Sequence, residues 1–431
     1  MVCTFTALLA LLNCSAALQP SDMKQPFRKI INDPVYGFIT FDDPLIYEII
    51  SHPWYQRLRR IHQLALAHLV YPGAVHSRLH HSMGAYHLMC NALQELKSKG
   101  TPISAEEEQG AKIAILLHDI GHGPFSHTLE HVIIENMRHE EISMLIMEAL
   151  NKVFDQRLTL AIQIFKGEYP KAFLHQLISS QLDVDRMDYL SRDSFYSGVS
   201  EGVIGYDRIL KMMVVHNNEL AIEEKGVYSI EKFLVARRLM YWQAYLHKTV
   251  LAGEHMLIKI LERAKLLARN SSGPFSVSPI LDEILRSPDS ASYIRTHLDH
   301  FCMLDDYDIL SSIKAWSRHT DKVLSTLSTW LINRRMLKTR LQVQPIDSAE
   351  KEGLMQKTMQ AMDLSREEAS YFVFDGVAVN RMYNPGDEHI RILFKDGTVK
   401  DISSIEYLLV HNEVKSPAKK CFLCYPDTVK S

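Results

Sequence analysis

The stretch AILLHDIGHGPFSH, residues 114–127, presents three histidines and one aspartate directly after an unbroken apolar run. These polar residues are His118, Asp119, His122 and His127. A buried charge or an unpaired imidazole is costly unless a metal ion or a hydrogen-bond network compensates it. The stretch therefore predicts that other parts of the chain supply partners at this point.

The same stretch is predicted to close one helix and to open another. Upstream, Ser104 is followed three residues later by Glu107, which is the capping-box spacing of a helix start. Gly121 and Gly123 interrupt the helical period, and Pro124 suits the first turn of a following helix. The polar residues are therefore expected at a helix end, on a tight turn and at a new helix start.

The composition is that of an ordinary globular protein. The chain has 431 residues, of which 46% are hydrophobic, so it can bury a large core. Its net charge of −3 gives no bulk attraction to nucleic acid or to an anionic membrane, and we expect neither as a partner. The CxxC of Cys421 and Cys424 lacks a second ligand pair for zinc, so we expect it on a terminal strand.

The first 22 residues contain an apolar run that looks like a signal peptide. No Lys or Arg precedes this run, and the run is too short to span a bilayer. We expect the physiological chain to begin at or near Met23, with residues 1–23 as a disordered or non-native extension of a cytoplasmic protein. A secreted precursor with a mature N-terminus near Leu18 is the alternative.

The rest of the chain is predicted to be mainly α-helical. An extended lead-in, KIINDPVYGFITFDD, precedes a series of helical patterns, among them helices expected at 139–152, 180–193 and 230–268. Strand-like segments follow, the last two joined around Asp396-Gly397, a hairpin signal. Together with a Ser/Gly/Pro-rich linker at 269–279, these patterns predict a helical body, a helical extension and a small α+β segment, at residues 24–268, 269–368 and 369–431.

Four segments carry groups suited to a metal ion or a phosphate: HSRLHHS (76–82), the opening stretch, RHEE (138–141) and QLDVDRMDYLSRD (181–193). Nitrogen and oxygen ligands without a thiolate suit Mn, Mg, Fe, Zn or Ni. In the fourth segment Arg186, Tyr189 and Asp193 share one helix face, while Asp185 sits about 100° round the helix from Arg186. That arrangement lets one face hold a phosphate and a sugar while Asp185 reaches a metal.

A second cationic and aromatic stripe is expected on the long later helix. Arg237, Tyr241, Tyr245 and Lys248 recur there at helical spacing. Each of these features also has a structural interpretation when taken alone: a capping histidine, a solvated helix face with ion pairs, or cation–π packing. Only their joint occurrence favours a functional site.

The order of these residues resembles a known family. His81, the pair His118-Asp119 and then Asp185 follow the order H…HD…D of the metal ligands in the HD-domain metal-dependent phosphohydrolase superfamily. The blocks QRLRRIHQL, YPGAVHSRLHHSMG, LLHDIGHGPFSH, RHEE and LDVDRMDYLSRDS look like those of its deoxynucleoside triphosphate triphosphohydrolase (dNTPase) branch. The resemblance implies a mainly α, multi-helical HD-domain fold, and it covers about residues 29–248.

The resemblance also implies roles for individual residues. It implies that one divalent metal ion is bound by His81, His118, Asp119 and Asp185. It implies catalytic roles in phosphate contact and proton transfer for His122, His127, His139 and Glu130, with His127 as the general acid and Glu130 where many relatives pair an Asp with that histidine. It implies substrate contacts for Gln63, Arg78, Arg186, Tyr189, Asp193, Arg237, Tyr245 and Lys248. Tyr241 stands where the vertebrate member of the dNTPase branch has a histidine.

These expectations lead to one functional hypothesis and two alternatives. The first is hydrolysis of dNTPs at the α-phosphorus to deoxynucleoside and triphosphate, a reaction of nucleotide metabolism in which a divalent ion assists phosphoester cleavage. The alternatives are an HD phosphohydrolase acting on a monophosphate, cyclic dinucleotide or other phosphoester, and a nucleotide sensor or single-stranded nucleic-acid binder. The resemblance further implies a homo-oligomer, dimer or tetramer, with a nucleotide activator.

Overall fold

The computed structural model describes residues 27–125, 130–380, 389–406, 408 and 418–429. The expectations for residues 1–23 and for His127 lie outside the described residues. An antiparallel hairpin of β1 (Lys29–Asp33) and β2 (Gly37–Phe41) opens the described chain, where the extended lead-in was predicted.

Helices then build the body of the protein. Up to the second sheet they are α1 (Pro44–Ser51), α2 (Pro53–Gln56), α3 (Arg78–Ser98), α4 (Ala105–Leu117), α5 (Glu130–Ile133), α6 (His139–Val153), α7 (Thr159–Lys166), α8 (Ala172–Gln176), α9 (Val184–Ser197) and α10 (Tyr206–Met212). The strands β3 (Met213–His216) and β4 (Glu219–Glu223) follow, and the body ends with α11 (Val227–Met240) and α12 (Lys248–Asn270).

The second half of the chain adds further helices and strands. The elements of the extension are α13 (Pro279–Arg286), α14 (Ser290–Thr296), α15 (Leu298–Phe301), α16 (Asp306–Trp316), α17 (Lys322–Ile332), β5 (Lys338–Gln342), α18 (Ser348–Met362) and α19 (Arg366–Ala369). The last strands are β6 (Phe374–Asn380), β7 (Arg391–Leu393), β8 (Val399–Asp401) and β9 (Ala418–Tyr425). The described part of the chain is thus mainly α-helical with small sheets.

Several helix starts follow from local capping. The predicted capping box at α4 is confirmed, since Ser104 and Glu107 bond each other's backbone N–H groups. Helix α9 was expected from residue 180 but begins at Val184, because the side chain of Asp183 accepts the N–H of Arg186 at 2.7 Å and caps the helix there.

The prediction of one helix over 230–268 is wrong. A π-helical turn, Tyr241–Tyr245, follows α11, and His247 then takes an extended conformation. The Nδ1 atom of His247 accepts the N–H of Thr249 at 3.2 Å, so the chain restarts with α12 at Lys248. The helical phase expected between Arg237 and Lys248 is therefore lost at this break.

The C-terminal strands complete sheets begun by earlier elements. Strand β7 pairs in parallel with β4 of the body and antiparallel with β8, and the predicted hairpin at Asp396-Gly397 joins β7 to β8. The third sheet has the order β5-β9-β6, and its central strand carries Cys421 and Cys424, as predicted.

One contiguous hydrophobic core includes residues from all three predicted parts, among them Leu116, Phe301 and Ile392. The expected linker also packs against the extension, because Trp316 donates its indole N–H to the carbonyl of Phe275 at 2.8 Å. The boundaries at residues 268 and 368 stay predictions. Among the described helices, we find none with both the length and the apolar character needed to cross a membrane.

Candidate functional site

Four of the predicted residues converge at the junction of α3, α4 and α9. The Nε2 atoms of His81 and His118 lie 3.4 Å apart. Asp185 Oδ1 lies 3.1 Å from His81 Nε2 and 3.5 Å from His118 Nε2. Asp119 completes the group at 3.6 Å from His81 and 3.4 Å from His118. Three of these side chains line a cavity of about 680 Å³.

The second ring nitrogen of each histidine is already occupied. Nδ1 of His81 lies 2.7 Å from a carboxylate oxygen of Asp188, and Nδ1 of His118 lies 2.6 Å from the carbonyl oxygen of Ile115. A metal-binding histidine commonly donates its other N–H to a carboxylate or carbonyl, which fixes the ring and its tautomer. Both Nε2 atoms are therefore held toward the carboxylates.

The charges at this point are strongly coupled. Burial raises the pKa of Asp185, but hydrogen bonds from His118 and His81 outweigh it and hold that pKa far below its ordinary value. Burial lowers the pKa of His81, whereas Asp185 and Asp188 outweigh it and raise that pKa to about 10. A divalent cation would take the place of these protons, since a metal ligand must be deprotonated. This donor set of two imidazoles and two carboxylates fits such an ion.

His122 and His139 lie beside this group. His122 Nε2 is 3.3 Å from Asp119 Oδ1, and the rings of His122 and His139 stack with their centroids 3.8 Å apart. Burial, followed by the charge of Arg78, lowers the pKa of His122 well below its ordinary value, so this ring is neutral at pH 7. The two imidazoles extend the site from the carboxylates toward α6.

Glu130 contacts His139 in the described chain. Its Oε1 atom lies 3.0 Å from Nδ1 of His139 and accepts the backbone N–H of the same residue at 2.8 Å. The implied partner, His127, lies outside the described residues, so that pairing stays a prediction. Within the described chain Glu130 fixes the orientation of His139.

A glycine brings the turn after α4 against the start of α6. A Cβ atom at Gly121 would lie 2.2 Å from the backbone nitrogen of Ser143 and 2.3 Å from the carbonyl oxygen of His139. The Ser143 hydroxyl accepts the N–H of Gly121 at 2.9 Å and donates to the carbonyl of His118 at 2.8 Å. This close approach sets His139 beside His122.

Two buried residues that were not predicted as site residues also hold this turn. The guanidinium of Arg57 donates to the carbonyls of Ile120 and His122 at 2.8 and 2.9 Å. Asp306, the first residue of α16, accepts the N–H of Phe125 at 2.8 Å and that of His62 at 2.8 Å. Arg57 lies in the quoted block QRLRRIHQL, whereas no motif marks Asp306.

Most of the implied substrate contacts lie on the cavity wall to which α9 contributes. Gln63, Arg186, Tyr189, Asp193 and Tyr245 line it. Asp193 accepts a hydrogen bond from the Tyr245 hydroxyl at 2.7 Å, and its other oxygen lies 2.8 Å from a ring nitrogen of His76. Burial raises the pKa of both tyrosines well above their ordinary value, so the phenols stay protonated.

Several polar atoms near this wall are buried without a hydrogen-bond partner in the described chain. They are Gln63 Oε1, Arg186 Nε and Arg237 Nε. Buried polar groups are almost always paired, because an unpaired group loses its hydration without compensation. Gln63 and Arg186 line the cavity, where a bound polar ligand could hydrogen-bond to both atoms; Arg186 Nε also has an ion pair with Asp183 at 3.5 Å.

Arg78 faces the ligand group, whereas Lys248 lies elsewhere. Arg78 is buried and donates to the carboxylate of Asp119, and it lines the cavity. Lys248 is exposed and lines a separate groove of about 520 Å³ together with Arg334, Arg335 and Lys338. The cavity lining contains neither Lys248 nor Arg237, whose guanidinium contacts Gln181 at 3.3 Å.

The cavity also contains residues that were not predicted. Arg138, Glu140 and Tyr241 belong to quoted segments and could have been proposed from their neighbours. His175 and Glu254 lie outside every motif, and only tertiary packing brings them to the cavity. A single sequence carries no signal for such positions.

Comparison with known proteins identifies the family. The family described as HD domain matches residues 78–193, and the HD associated region matches residues 204–272. A solved phosphohydrolase from Bacteroides thetaiotaomicron is 50% identical, with 93% of this chain and 100% of that chain covered and a TM-score of 0.88. The chain belongs to the HD-domain phosphohydrolase family.

Other relatives point to one branch of the HD-domain phosphohydrolases. The protein YwfO of Bacillus subtilis is 32% identical over 390 residues, and the match covers 87% of each chain. The deoxynucleoside triphosphate triphosphohydrolase SAMHD1 of Bos taurus is 31% identical over 269 residues, which is 52% of this chain and 45% of that protein. The chain thus resembles the dNTPase branch of a metal-dependent family, and the His/Asp group at α3 and α4 can bind a metal ion.

Proposed function

We propose that this HD-domain phosphohydrolase hydrolyses dNTPs at the α-phosphorus to give a deoxynucleoside and inorganic triphosphate. One observation carries the proposal: a single cavity is lined both by members of the His/Asp group and by Arg186, Tyr189 and Asp193. Its volume of about 680 Å³ is within the usual range for a small-ligand pocket.

The four converging residues His81, His118, Asp119 and Asp185 would hold one divalent ion, which could be Mn, Mg, Fe, Zn or Ni. When bound, that ion supplies Lewis-acid chemistry at a phosphoryl oxygen. The fixed rings of His81 and His118 keep the ligand geometry ready, because their Nδ1 atoms are held by Asp188 and Ile115. Preorganisation of this kind avoids rearrangement during the reaction.

The cationic residues of the cavity bind the phosphates in this proposal. Arg186 Nε is buried, forms an ion pair with Asp183 at 3.5 Å and makes no hydrogen bond in the described chain, so its N–H would be available to donate to a phosphate oxygen. Arg78 bonds Asp119 and so holds positive charge next to the ligand group. His122, neutral and 3.3 Å from Asp119, is placed to donate a hydrogen bond to a phosphate oxygen.

The sugar would lie on the α9 wall. Asp193 and the Tyr245 hydroxyl form a hydrogen-bonded pair at 2.7 Å. Both groups would form hydrogen bonds with the 3′-hydroxyl of a deoxyribose. The ring of Tyr189 would pack on the face of the same sugar. Gln63, whose Oε1 atom is buried without a partner in the described chain, would accept a hydrogen bond from the nucleoside side.

The reaction forms one bond and breaks another. The oxygen of a water molecule bonds to the α-phosphorus, and the bond from that phosphorus to the 5′ oxygen breaks. The 5′ oxygen leaves with the electron pair and takes a proton, for which we propose His127 as donor, while the attacking water gives up a proton to a neighbouring base. His139, held by Glu130 and stacked on His122, would assist this transfer.

Product analysis tests the proposal. Purified protein is incubated with each dNTP and with Mn²⁺ or Mg²⁺, and Asp185→Ala serves as the control without a complete ligand group. A second nucleotide is included, since a homo-oligomer with a nucleotide activator belongs to the same proposal. We expect deoxynucleoside and inorganic triphosphate from the unaltered chain only. Release of inorganic phosphate, or the same products from Asp185→Ala, would contradict the assignment.

A further inference from the structure

A chain of buried ion pairs joins the N-terminal hairpin to His81. The carboxylate of Asp33, at the end of β1, accepts two hydrogen bonds from the Arg192 guanidinium, at 2.8 and 3.3 Å. The same guanidinium donates to both oxygens of Asp188, at 3.0 Å each. Asp188 lies 2.7 Å from Nδ1 of His81. All four side chains are at most 2% exposed, so water does not screen these contacts.

Helix α3 is shaped to admit this ion-pair chain. Gly84 follows His81 by three residues and therefore lies on the same helix face. A Cβ atom at Gly84 would lie 2.0 Å from an oxygen of Asp188 and 2.2 Å from a nitrogen of Arg192. The absent side chain of Gly84 thus makes the space in which the carboxylate and the guanidinium meet behind His81.

The hairpin end of the chain is equally well held. Asp33 Oδ1 also accepts the backbone N–H groups of Val35 and Tyr36, at 2.9 and 3.0 Å. The guanidinium of Arg192 lies over the ring of Tyr36, 5.4 Å from its centroid. One carboxylate therefore fixes both the turn between β1 and β2 and the position of Arg192.

We propose that Asp33 and Arg192 are positioning residues of the metal centre. They hold Asp188, and through it the ring of His81, in the orientation that directs Nε2 toward Asp119 and Asp185. The inference rests on the proposed role of His81 as a metal ligand. Partners that orient a metal ligand typically change metal affinity by about 10- to 100-fold when they are replaced. The N-terminal hairpin is then part of the metal centre.

The test measures Mn²⁺ affinity directly. The full chain is stripped of metal by a chelator, and the dissociation constant for Mn²⁺ is obtained from the electron paramagnetic resonance signal of the free ion. The Asp33→Asn substitution keeps the shape and an acceptor for the hairpin turn but removes the charge facing Arg192. We expect an increase of about tenfold in the Mn²⁺ dissociation constant. Asp42→Asn, at an exposed position after β2, should stay within twofold of the unaltered chain.

A second pair of variants tests the same series of buried ion pairs at α3. Gly84→Ala should weaken Mn²⁺ binding and shift the visible absorption of bound Co²⁺, whereas Gly353→Ala should do neither. Gly353 also lies inside a helix, and an added Cβ there would meet nothing within 4 Å. Arg192→Lys keeps the charge but loses the bidentate hydrogen bonds to the two carboxylates. This variant replaces Asp33→Asn in the test if Asp33→Asn does not fold.

The outcomes separate this inference from the proposed function. A folded Asp33→Asn or Arg192→Lys variant with a Mn²⁺ dissociation constant within twofold of the unaltered chain would overturn the positioning role and leave the metal centre intact. An unaltered chain that binds no Mn²⁺ would overturn the metal centre and the positioning role together. Weaker binding in Asp33→Asn with unchanged binding in Asp42→Asn supports the inference.

Discussion

Polar side-chain atoms at the site differ in whether they have a hydrogen-bond partner in the described chain. In the His/Asp group, the Nδ1 atoms of His81 and His118 already have partners, so their Nε2 atoms are the ones directed toward Asp119 and Asp185. By contrast, Gln63 Oε1 is buried without a hydrogen-bond partner in the described chain, and Arg186 Nε has only an ion pair with Asp183 at 3.5 Å. A ligand that pairs such an atom recovers the cost of its burial. The His/Asp group is therefore suited to hold an ion, and the residues with unbonded polar atoms are suited to hold a substrate.

Replacing Arg186 should test the phosphate contact. In Arg186→Gln the chain loses a cation that the proposed function places against a substrate phosphate, and removing such a transition-state contact typically costs about 10²–10³ in rate. We expect kcat/KM for dNTP to fall about 100-fold, measured as release of triphosphate. Arg208→Gln, at an exposed arginine, should stay within twofold of the unaltered chain. Equal rates for the two variants would contradict the contact.

The resemblance to the HD-domain order H…HD…D was enough to predict which four residues converge, because that order can be read from the linear sequence. Asp188 lies in a quoted segment, and its position three residues after Asp185 could have suggested a supporting role. Asp306 could not be predicted, since it reaches the turn after α4 from the helical extension. Contacts made across long sequence separations leave no local pattern.

At the scale of elements, the turn after α4 is the most tightly determined part of the site. Gly121 admits the backbone of α6, Arg57 binds two carbonyls of the turn, and Asp306 binds the N–H of Phe125. Polar backbone groups that are buried in a turn need such partners, because no helix or sheet satisfies them. The turn therefore depends on α6, on the segment after α2 and on α16 together.

A methyl group at Gly121 should destabilise the protein through this turn. The Cβ atom in Gly121→Ala would lie 2.2 Å from a backbone nitrogen of α6, and overpacking of this kind typically costs about 1–3 kcal/mol. We expect that loss in the free energy of unfolding by urea. Gly353→Ala adds the same methyl group to open space in α18 and should raise stability by up to about 1 kcal/mol. A neutral Gly121→Ala variant would show that α6 can move away.

The single helix predicted over residues 230–268 is interrupted between α11 and α12. Apolar residues keep a helical period on both sides of the break, so the sequence pattern predicts one helix. The π-helical turn and the capping by His247 shift the phase by local geometry that the pattern does not contain. As a result Tyr245 lines the cavity, while Lys248 turns to a separate groove.

At the scale of the whole molecule, the predicted segments share one core. Strand β7 pairs with β4 of the body, and its Ile392 is fully buried in the same hydrophobic cluster as Leu116 beside the site. The sequence predicted the strands and their hairpin from local signals, but it could not say where they pack, because the parallel pairing joins residues far apart in the chain. The extension likewise reaches the site through Asp306.

Truncating Ile392 should therefore weaken the whole protein. We expect Ile392→Ala to lose about 2–5 kcal/mol of unfolding free energy, the usual cost of removing a buried large aliphatic side chain. Circular dichroism of the helices and tryptophan fluorescence should report the same lowered midpoint in urea. Ile332→Ala, at a position 42% exposed, should lose much less. If the midpoint of the main unfolding transition is unchanged in Ile392→Ala, the C-terminal strands unfold separately from the rest of the protein.

In the proposed reaction, water attacks the α-phosphorus of a dNTP in this cavity. The most direct measurement is hydrolysis in water labelled with ¹⁸O, followed by mass spectrometry of both products. We expect one ¹⁸O atom in inorganic triphosphate, none in the deoxynucleoside, and no turnover by Asp185→Ala. Label in the deoxynucleoside, or label in orthophosphate with a deoxynucleoside diphosphate as the other product, would contradict the proposed reaction.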